Sequence, residues 1–564
     1  MFSPGKELEI NCSIYNCAYL KEKTIMILVP HQDDELIVAG AILPVLRANN
    51  CNIKVVFSTN GDYKGADVGM KRLEEALLYC GNEGIPEENV FFMGFGDQGE
   101  KGRHIYNSET SIKTPAGCDH TYALDKHLSV ATQYFGSEKE YLRKNYKEIL
   151  KTLLINVFPD IIICIDCDIH SDHIALSLMF EEVLSELIRE RNFCPKVLKA
   201  FAHDMSWMGV KDYSGINLKS CIPIEKNPHH TYAVQFQNAY YAWEDRVRFP
   251  VFYQYVTSGT RNNQFRKTMQ NYRSQHVKFH FNRLLNSDQI FWERRTDNLV
   301  YRSRIKVSSG EVKCFYTLKM FECENVMLKQ DILEKNRLFW RPDIDDEVKK
   351  AEFYFDDTMN VEVLNIYTGF DQYVTRDVEI RFDDQITIHT GVLKNYGKKN
   401  EIRLDPPVCC KKISLQLSDS MTQIVKFEAI PYVKEELYYT KIMINNNFVY
   451  RYYQEEGKKI PKLQVYEYGN KGSRVIEEKN IEQFYSFYWI EGKGKKAINN
   501  MKEIFDKKNQ SKRVHMESKS NPALFDEIEV RHCSKWYVNY IMLQDKVQSL
   551  LNDILYKLIR MLRR

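Results

Sequence analysis

The sequence predicts an α/β fold over residues 1–300, built on a mostly parallel sheet. All-β (β-sandwich) accessory domains follow over 301–435 and 436–535, and a basic amphipathic helix closes the chain over 536–564. Three observations carry this. From Thr24 to Arg191, apolar runs rich in β-branched residues alternate with helical periodicity. From about Val307 the period changes to two, with turn residues between the runs. From Leu543 to Leu562, Leu, Ile and Val recur at three- and four-residue steps.

Thr24–Val29 is the first strand, and a helical run from Glu35 to about Arg47 follows it. Ile53–Ser58 is the second strand and ends in Thr59-Asn60-Gly61-Asp62, a turn with Gly for positive φ. Met70–Tyr79 reads as a helix and Val90–Met93 as a third strand. Residues 100–137 lack periodicity and read as a lid or binding loop. Glu138–Asn156 is a helix stopped by Pro159, and Ile161–Ile165 is a fully apolar strand of the central parallel kind. A helix from Ile174 to Arg191 follows, and another spans about Asn262 to Leu285. Strand and helix alternating in this way give a Rossmann-like arrangement with right-handed crossovers.

The bulk numbers agree. A chain of 564 residues exceeds one core and implies three or four units. At 44% hydrophobic and 27% charged it is ordinary for a globular protein, and a net charge of +3 does not argue for a nucleic-acid partner. The 35 Tyr and 30 Phe favour β-rich units towards the C-terminus. The 14 cysteines form no dense framework, and Met1–Leu20 carries Lys6, Glu7 and Glu9 in place of an apolar leader. These point to reduced thiols and a cytoplasmic setting. No run of about 18 uncharged apolar residues suggests a membrane-spanning helix.

Two polar clusters sit at strand-to-helix junctions. His31-Gln32-Asp33-Asp34-Glu35 follows the first strand, and His170-Ser171-Asp172-His173 follows Ile161–Ile165. In a parallel sheet both junctions lie on the same edge, so the clusters can meet. His31, Asp34 and His173 would supply two imidazoles and a carboxylate. That set leaves positions open for water and substrate, as catalytic zinc requires. Asp33 and His170 are then candidates for proton transfer. Alone, Asp33, Asp34 and Glu35 also fit acids at a helix start, and Glu35 reads as one. Cys164 and Cys167 form a C-x-x-C on a buried strand, which argues against a redox or zinc role. His229-His230 reads as a loop pair. His276 and His280 lie i, i+4 on a helix without the Glu of H-E-x-x-H, and read as helix surface.

Pro30-His31-Gln32-Asp33-Asp34-Glu35 with His170-Ser171-Asp172-His173 resembles the PIG-L (LmbE-like) family of zinc-dependent N-acetylglucosaminyl deacetylases. The resemblance spans about Lys23 to Thr296. Thr59–Asp62, Arg72 with Glu75, Asp97 and Tyr272-Arg273-Ser274-Gln275 support it. Gln32 and Ser171 depart from it, since the family usually carries Pro there. The resemblance implies that His31, Asp34 and His173 bind Zn2+, with Fe2+ also suited to two imidazoles and a carboxylate. It implies Asp33 as general base and His170 as the residue that stabilises the oxyanion or protonates the leaving amine. Arg72 and Asp97 resemble positions that hold the sugar. The implied substrate is an N-acetylated amino sugar in a glycan, glycolipid or polymer precursor, and a cell-envelope pathway suits it. A non-catalytic glycan-binding scaffold, or a hydrolase of another N-acyl or amino-sugar conjugate, are the alternatives.

The remainder reads as strands. Val361–Tyr367, Val378–Phe382, Ile386–His389, Lys412–Leu417 and Ile424–Ile430 look like a galactose-binding-like jelly roll. Tyr438–Trp489 holds further short strands, and Lys493–Ser520 reads as a charge-rich, partly helical linker. The terminal helix carries Lys546, Lys557, Arg560, Arg563 and Arg564. It suits an anionic membrane surface, a partner helix or its own protein.

Overall fold

The computed structural model describes residues 20, 22–98, 102–168, 170–202, 264–275, 289–323, 325–327, 338–369, 377–393 and 399–431, and the backbone of short strands at 215–216, 247–249 and within 441–531. The first sheet is built on β1 (Thr24–Val29), β2 (Asn52–Thr59), β3 (Val90–Phe95), β4 (Ile161–Ile165) and β5 (Lys196–Ala200). Two further strands, β6 (Val247–Phe249) and β7 (Gln289–Arg294), complete seven. The order is β3-β2-β1-β4-β5-β7-β6. The first five pair in parallel, and β7 runs antiparallel to β5 and β6. Strands β1 and β4 are almost wholly buried, because helices cover both faces of a parallel sheet. The chain runs from β1 out to β2 and returns to β4 on the other side. The reversal of strand order therefore falls between β1 and β4, where such sheets open a crevice.

The helices depart from expectation in instructive places. The run after β1 is two helices, α1 (Asp34–Ala39) and α2 (Leu43–Ala48), not one. Pro44 accounts for the break: it lacks the N–H that a continuous helix needs there and fits the first turn of a new one. Helix α3 spans Ala66–Asn82. The stretch expected to be irregular contains α4 (Val130–Phe135), capped by Ser129 Oγ on the Thr132 N–H at 3.1 Å and ended by Gly136 at φ 75°. Helix α5 (Arg143–Val157) starts later than expected, and α6 (Ser171–Arg191) starts three residues earlier, with His170 as its N-cap.

Under the β4–β5 edge lies a buried charge cluster. Arg294 reaches Asp166 Oδ2 at 2.7 Å and Glu181 Oε1 at 3.1 Å, while Lys199 reaches Ser177 Oγ at 2.7 Å. Burial opposes charge on Asp166, yet Arg294 and Lys199 hold its carboxyl below the ordinary range. Asp166 in turn accepts the Cys167 N–H at 2.8 Å, which shapes the loop leaving β4. Arg294→Met should therefore cost about 3 kcal/mol, read by urea unfolding, because it strands two buried carboxylates. An unchanged midpoint would show that Lys199 alone neutralises them.

The second sheet is antiparallel. It comprises β8 (Arg304–Val307), β9 (Lys350–Thr368), β10 (Val378–Phe382), β11 (Ile386–His389), β12 (Lys399–Leu417) and β13 (Ile424–Pro431). The order is β11-β10-β12-β9-β13, with β8 also on β9. The strands expected here are present, but β9 and β12 each run 19 residues, with register shifts that bend them. Phe315, Trp340, Phe353, Ile413 and Phe427 fill its core. Lys426, fully buried, donates to the carbonyls of Cys314 (3.1 Å) and Thr317, tying β13 to the connecting segment.

Beyond these lie a four-stranded meander (441–480) and a three-stranded sheet in which Ser511–Glu517 pairs with Phe525–Arg531, and that strand with Gly215–Ile216. Ser511–Glu517 lies in the stretch expected to be a partly helical linker. The neighbouring strand Phe525–Arg531 supplies its pairing, and the distant Gly215–Ile216 pairs the far side of that neighbour. His229, His230, His276, His280 and the terminal helix from residue 536 lie outside the described residues. Among the described residues, no helix is long and apolar enough to cross a membrane.

Candidate metal centre

The carboxyl ends of four parallel strands converge on one crevice. Strand β1 delivers His31, Asp33 and Asp34; β4 delivers Asp168, His170, Asp172 and His173. Strand β2 leads to Asp62 and β3 to Asp97 and Gln98. His31 Nδ1, Asp34 Oδ2 and His173 Nε2 form a triangle with edges of 3.1, 3.2 and 3.2 Å. Each imidazole is held by a carboxylate at its other nitrogen. His173 Nδ1 lies 2.7 Å from Asp168 Oδ2, and His31 Nε2 lies 3.2 Å from Asp172 Oδ2. Metal-ligating histidines are oriented in this way.

The residues fit a metal. Ligands of a tetrahedral zinc with bonds of about 2.0–2.1 Å stand about 3.3 Å apart, close to the edges observed. The charge balance agrees. Asp33, Asp34, Asp97, Asp168 and Asp172 surround three imidazoles in a nearly closed site. Burial opposes charge on His173, yet Asp168 and Asp34 push its ring up to about 10. Burial likewise opposes charge on His31, and Asp97, Asp172 and Asp34 outweigh it. Such a site is short of positive charge. His170 is part of the same cluster, its ring edge-on to His31 at 4.6 Å.

Asp33 occupies a strained backbone position, φ 145° and ψ −19°. Its N–H donates to Glu35 Oε2 at 3.0 Å, and Arg72 Nη2 lies 3.5 Å from its carboxylate. Burial pushes the Asp33 carboxyl up to about 7, against the pull of Arg72. Arg72 also donates to the carbonyls of Gly61 (3.2 Å) and Gln32 (3.4 Å). Asp97 is buried beside His31, with 3.7 Å between Oδ1 and Nε2. Burial, then Asp172, pushes its carboxyl up to about 6. Asp62 fixes it by accepting the Asp97 N–H (2.7 Å) and the Tyr122 hydroxyl (2.8 Å). The structure thus brings together all seven residues singled out from sequence.

Several partners were not singled out. Asp168 and Asp172 lie within the second cluster itself, so their position was a usable signal. Asp62 stood in the turn after the second strand, and His104 and Tyr122 in the stretch read as a lid or binding loop, but nothing local showed which partners these or Gln98 would meet. Glu35 does stand in the first turn of α1, but it is buried and accepts the Tyr272 hydroxyl, so it ties the crevice to a distant segment. Burial pushes its carboxyl up to about 8.

Residues 26–184 match the family model PIG-L, GlcNAc-PI de-N-acetylase. This stretch, hereafter the PIG-L region, is similar to the PIG-L family. Among solved structures, N,N'-diacetylchitobiose deacetylase from Pyrococcus horikoshii is similar at 14% identity and TM-score 0.22, over 32% of this chain and 61% of that one. A deacetylase of the teicoplanin biosynthesis pathway is similar at 15% identity and TM-score 0.20, over 31% of this chain and 66% of its own. The family 32 CBM from C. perfringens NanJ, in complex with galactose, is similar at 11% identity and TM-score 0.17, over 24% of this chain and 97% of its own. This chain thus spans less than two thirds of either deacetylase. No curated protein matches it. The PIG-L region contains β1 to β4 and both polar clusters, and so the whole triangle.

Proposed function

We propose that the PIG-L region is a metal-dependent hydrolase that removes the N-acetyl group from an N-acetylated amino sugar in a glycan, glycolipid or polymer precursor. The observation that carries this is the His31–Asp34–His173 triangle, flanked by Asp33 and His170, inside a stretch that matches a de-N-acetylase family. His31, Asp34 and His173 would hold Zn2+, or Fe2+ by the same donor chemistry. When bound, such an ion polarises an acyl carbonyl and acidifies water.

The chain's own residues supply the rest. The Asp33 carboxylate takes the proton of the attacking water, and Arg72 keeps that carboxylate aimed into the crevice. The water oxygen bonds to the acetyl carbon, the C–N bond breaks, and acetate and a free amine leave. His170 faces the developing oxyanion, or returns a proton to the amine nitrogen. Gln98 Nε2, 3.2 Å from His170 Nε2, helps to hold that ring. Arg72 and Asp97 would meet sugar hydroxyls, as the family resemblance implies.

Purified protein should contain about one equivalent of metal and release acetate from some member of a panel of N-acetylhexosamine conjugates. Protein that holds metal but releases acetate from none would redirect the reading to another acyl group. Protein that never holds metal would end it.

A further inference from the structure

We propose that His104 is a positioning residue for His31, acting through Asp172. The proposal rests on the metal-centre reading above.

His104 stands in the loop after β3, 68 residues before Asp172. Its Nδ1 accepts the Tyr106 N–H at 3.0 Å, so the ring carries its proton on Nε2. That Nε2–H donates to Asp172 Oδ1 at 2.7 Å. The other oxygen, Oδ2, accepts the His31 Nε2–H at 3.2 Å, and the Gln98 N–H lies 3.1 Å from both oxygens. With its Nε2–H committed, His31 turns its Nδ1 lone pair to the triangle with Asp34 and His173. The tautomer of a metal-facing imidazole is set by the bond its far nitrogen makes.

Asp172 is only 1% exposed, so water cannot readily replace a lost donor. Removing His104 takes away the shortest hydrogen bond on that carboxylate, and a charge-assisted one. The Gln98 N–H and His31 itself are then the remaining donors on this carboxylate, which is held less firmly, and His31 with it.

The imidazole is not needed to anchor its own loop. Arg143 Nη1 holds the Tyr106 carbonyl at 2.7 Å, and the Tyr106 hydroxyl donates to Glu322 Oε1 at 2.7 Å. Asn107 Nδ2 donates to the Cys323 carbonyl at 3.1 Å. The segment leading to the second sheet thus clips this turn in place, and the far nitrogen of His104 is left for the metal centre.

Two variants separate positioning from plain stability. His104→Asn keeps an acceptor for the Tyr106 N–H but is too short to reach Asp172. His104→Gln carries an amide donor far enough out to reach it. The readouts are zinc affinity of the full chain, by competition with a chromogenic chelator, and thermal unfolding of the zinc-free protein. H104N should bind zinc about 10- to 100-fold more weakly while its zinc-free form melts with wild type, and H104Q should recover most of the affinity. Wild-type affinity in H104N would overturn the proposal. So would a loss that follows zinc-free stability and that H104Q does not repair. Wild-type protein that binds no zinc would instead bring down the metal-centre reading, and this proposal with it.

Discussion

Asp33→Asn is expected to lower turnover by about a hundred- to ten-thousand-fold while metal content stays at the wild-type level. Asparagine is the right probe for two reasons. The backbone at Asp33 sits in a strained position at φ 145°, and Asn, with the same branching and size as Asp, adds no new strain there. The amide also keeps the size of the carboxylate and can still lie beside Arg72, but it cannot take a proton from water. Metal content isolates the effect, because Asp33 is not a corner of the His31–Asp34–His173 triangle. Acetate release and metal analysis on the same preparation check it. Wild-type turnover in the variant would remove Asp33 as the base and leave His170 or Asp97 to be tested. Metal lost together with activity would instead mean that Asp33 helps to hold the ion.

His173→Ala should abolish tight metal binding, weakening it by more than about 100-fold, and abolish turnover with it. The bound of 100-fold is what loss of a residue merely supporting a ligand reaches, and His173 is itself a corner of the triangle. Its Nε2 stands 3.2 Å from both His31 Nδ1 and Asp34 Oδ2, and it is fully buried. The variant also leaves Asp168 without its 2.7 Å partner, so some loss of stability accompanies the loss of metal. Metal analysis after dialysis, with a melting curve of the zinc-free protein, separates the two. A variant that keeps one equivalent of metal would show that the ion sits elsewhere. The neighbouring set His31, Asp97, His170 and Asp172 would be the place to look next.

Much of the candidate metal centre was legible because its ingredients are local. Apolar runs at Thr24–Val29 and Ile161–Ile165 mark strands buried on both faces, and such strands belong to parallel sheets. A polar cluster directly after each is then at the same sheet edge. Parallel pairing puts both clusters on one edge, and the adjacency of β1 and β4 brings His31 and Asp34 to His173, 142 residues after His31. The break between α1 and α2 was equally local, since Pro44 stood in the expected helix.

What remained hidden depends on contacts far apart in sequence. Nothing near His104 shows that its Nε2 meets Asp172, because the meeting depends on how the loop after β3 folds back and on what clips it. Glu35 looked like an acid placed for a helix dipole until Tyr272, 237 residues away, donated to it. Phe525–Arg531, which pairs with its neighbour Ser511–Glu517, also reaches back to Gly215–Ile216, about 300 residues earlier.

The sequence by itself determined the alternation of strands and helices and the two polar clusters that carry His31, Asp33, Asp34, His170 and His173, while Arg72 and Asp97 came from the family resemblance. Periodicity and the position of a polar cluster after a strand are properties of the local chain, and in a parallel sheet they decide which residues share an edge. Only the tertiary structure decided which carboxylate holds which imidazole nitrogen, and so which nitrogen faces the His31–Asp34–His173 triangle. A hydrogen bond is made or lost over less than an ångström, and that distance is set by packing across the whole unit.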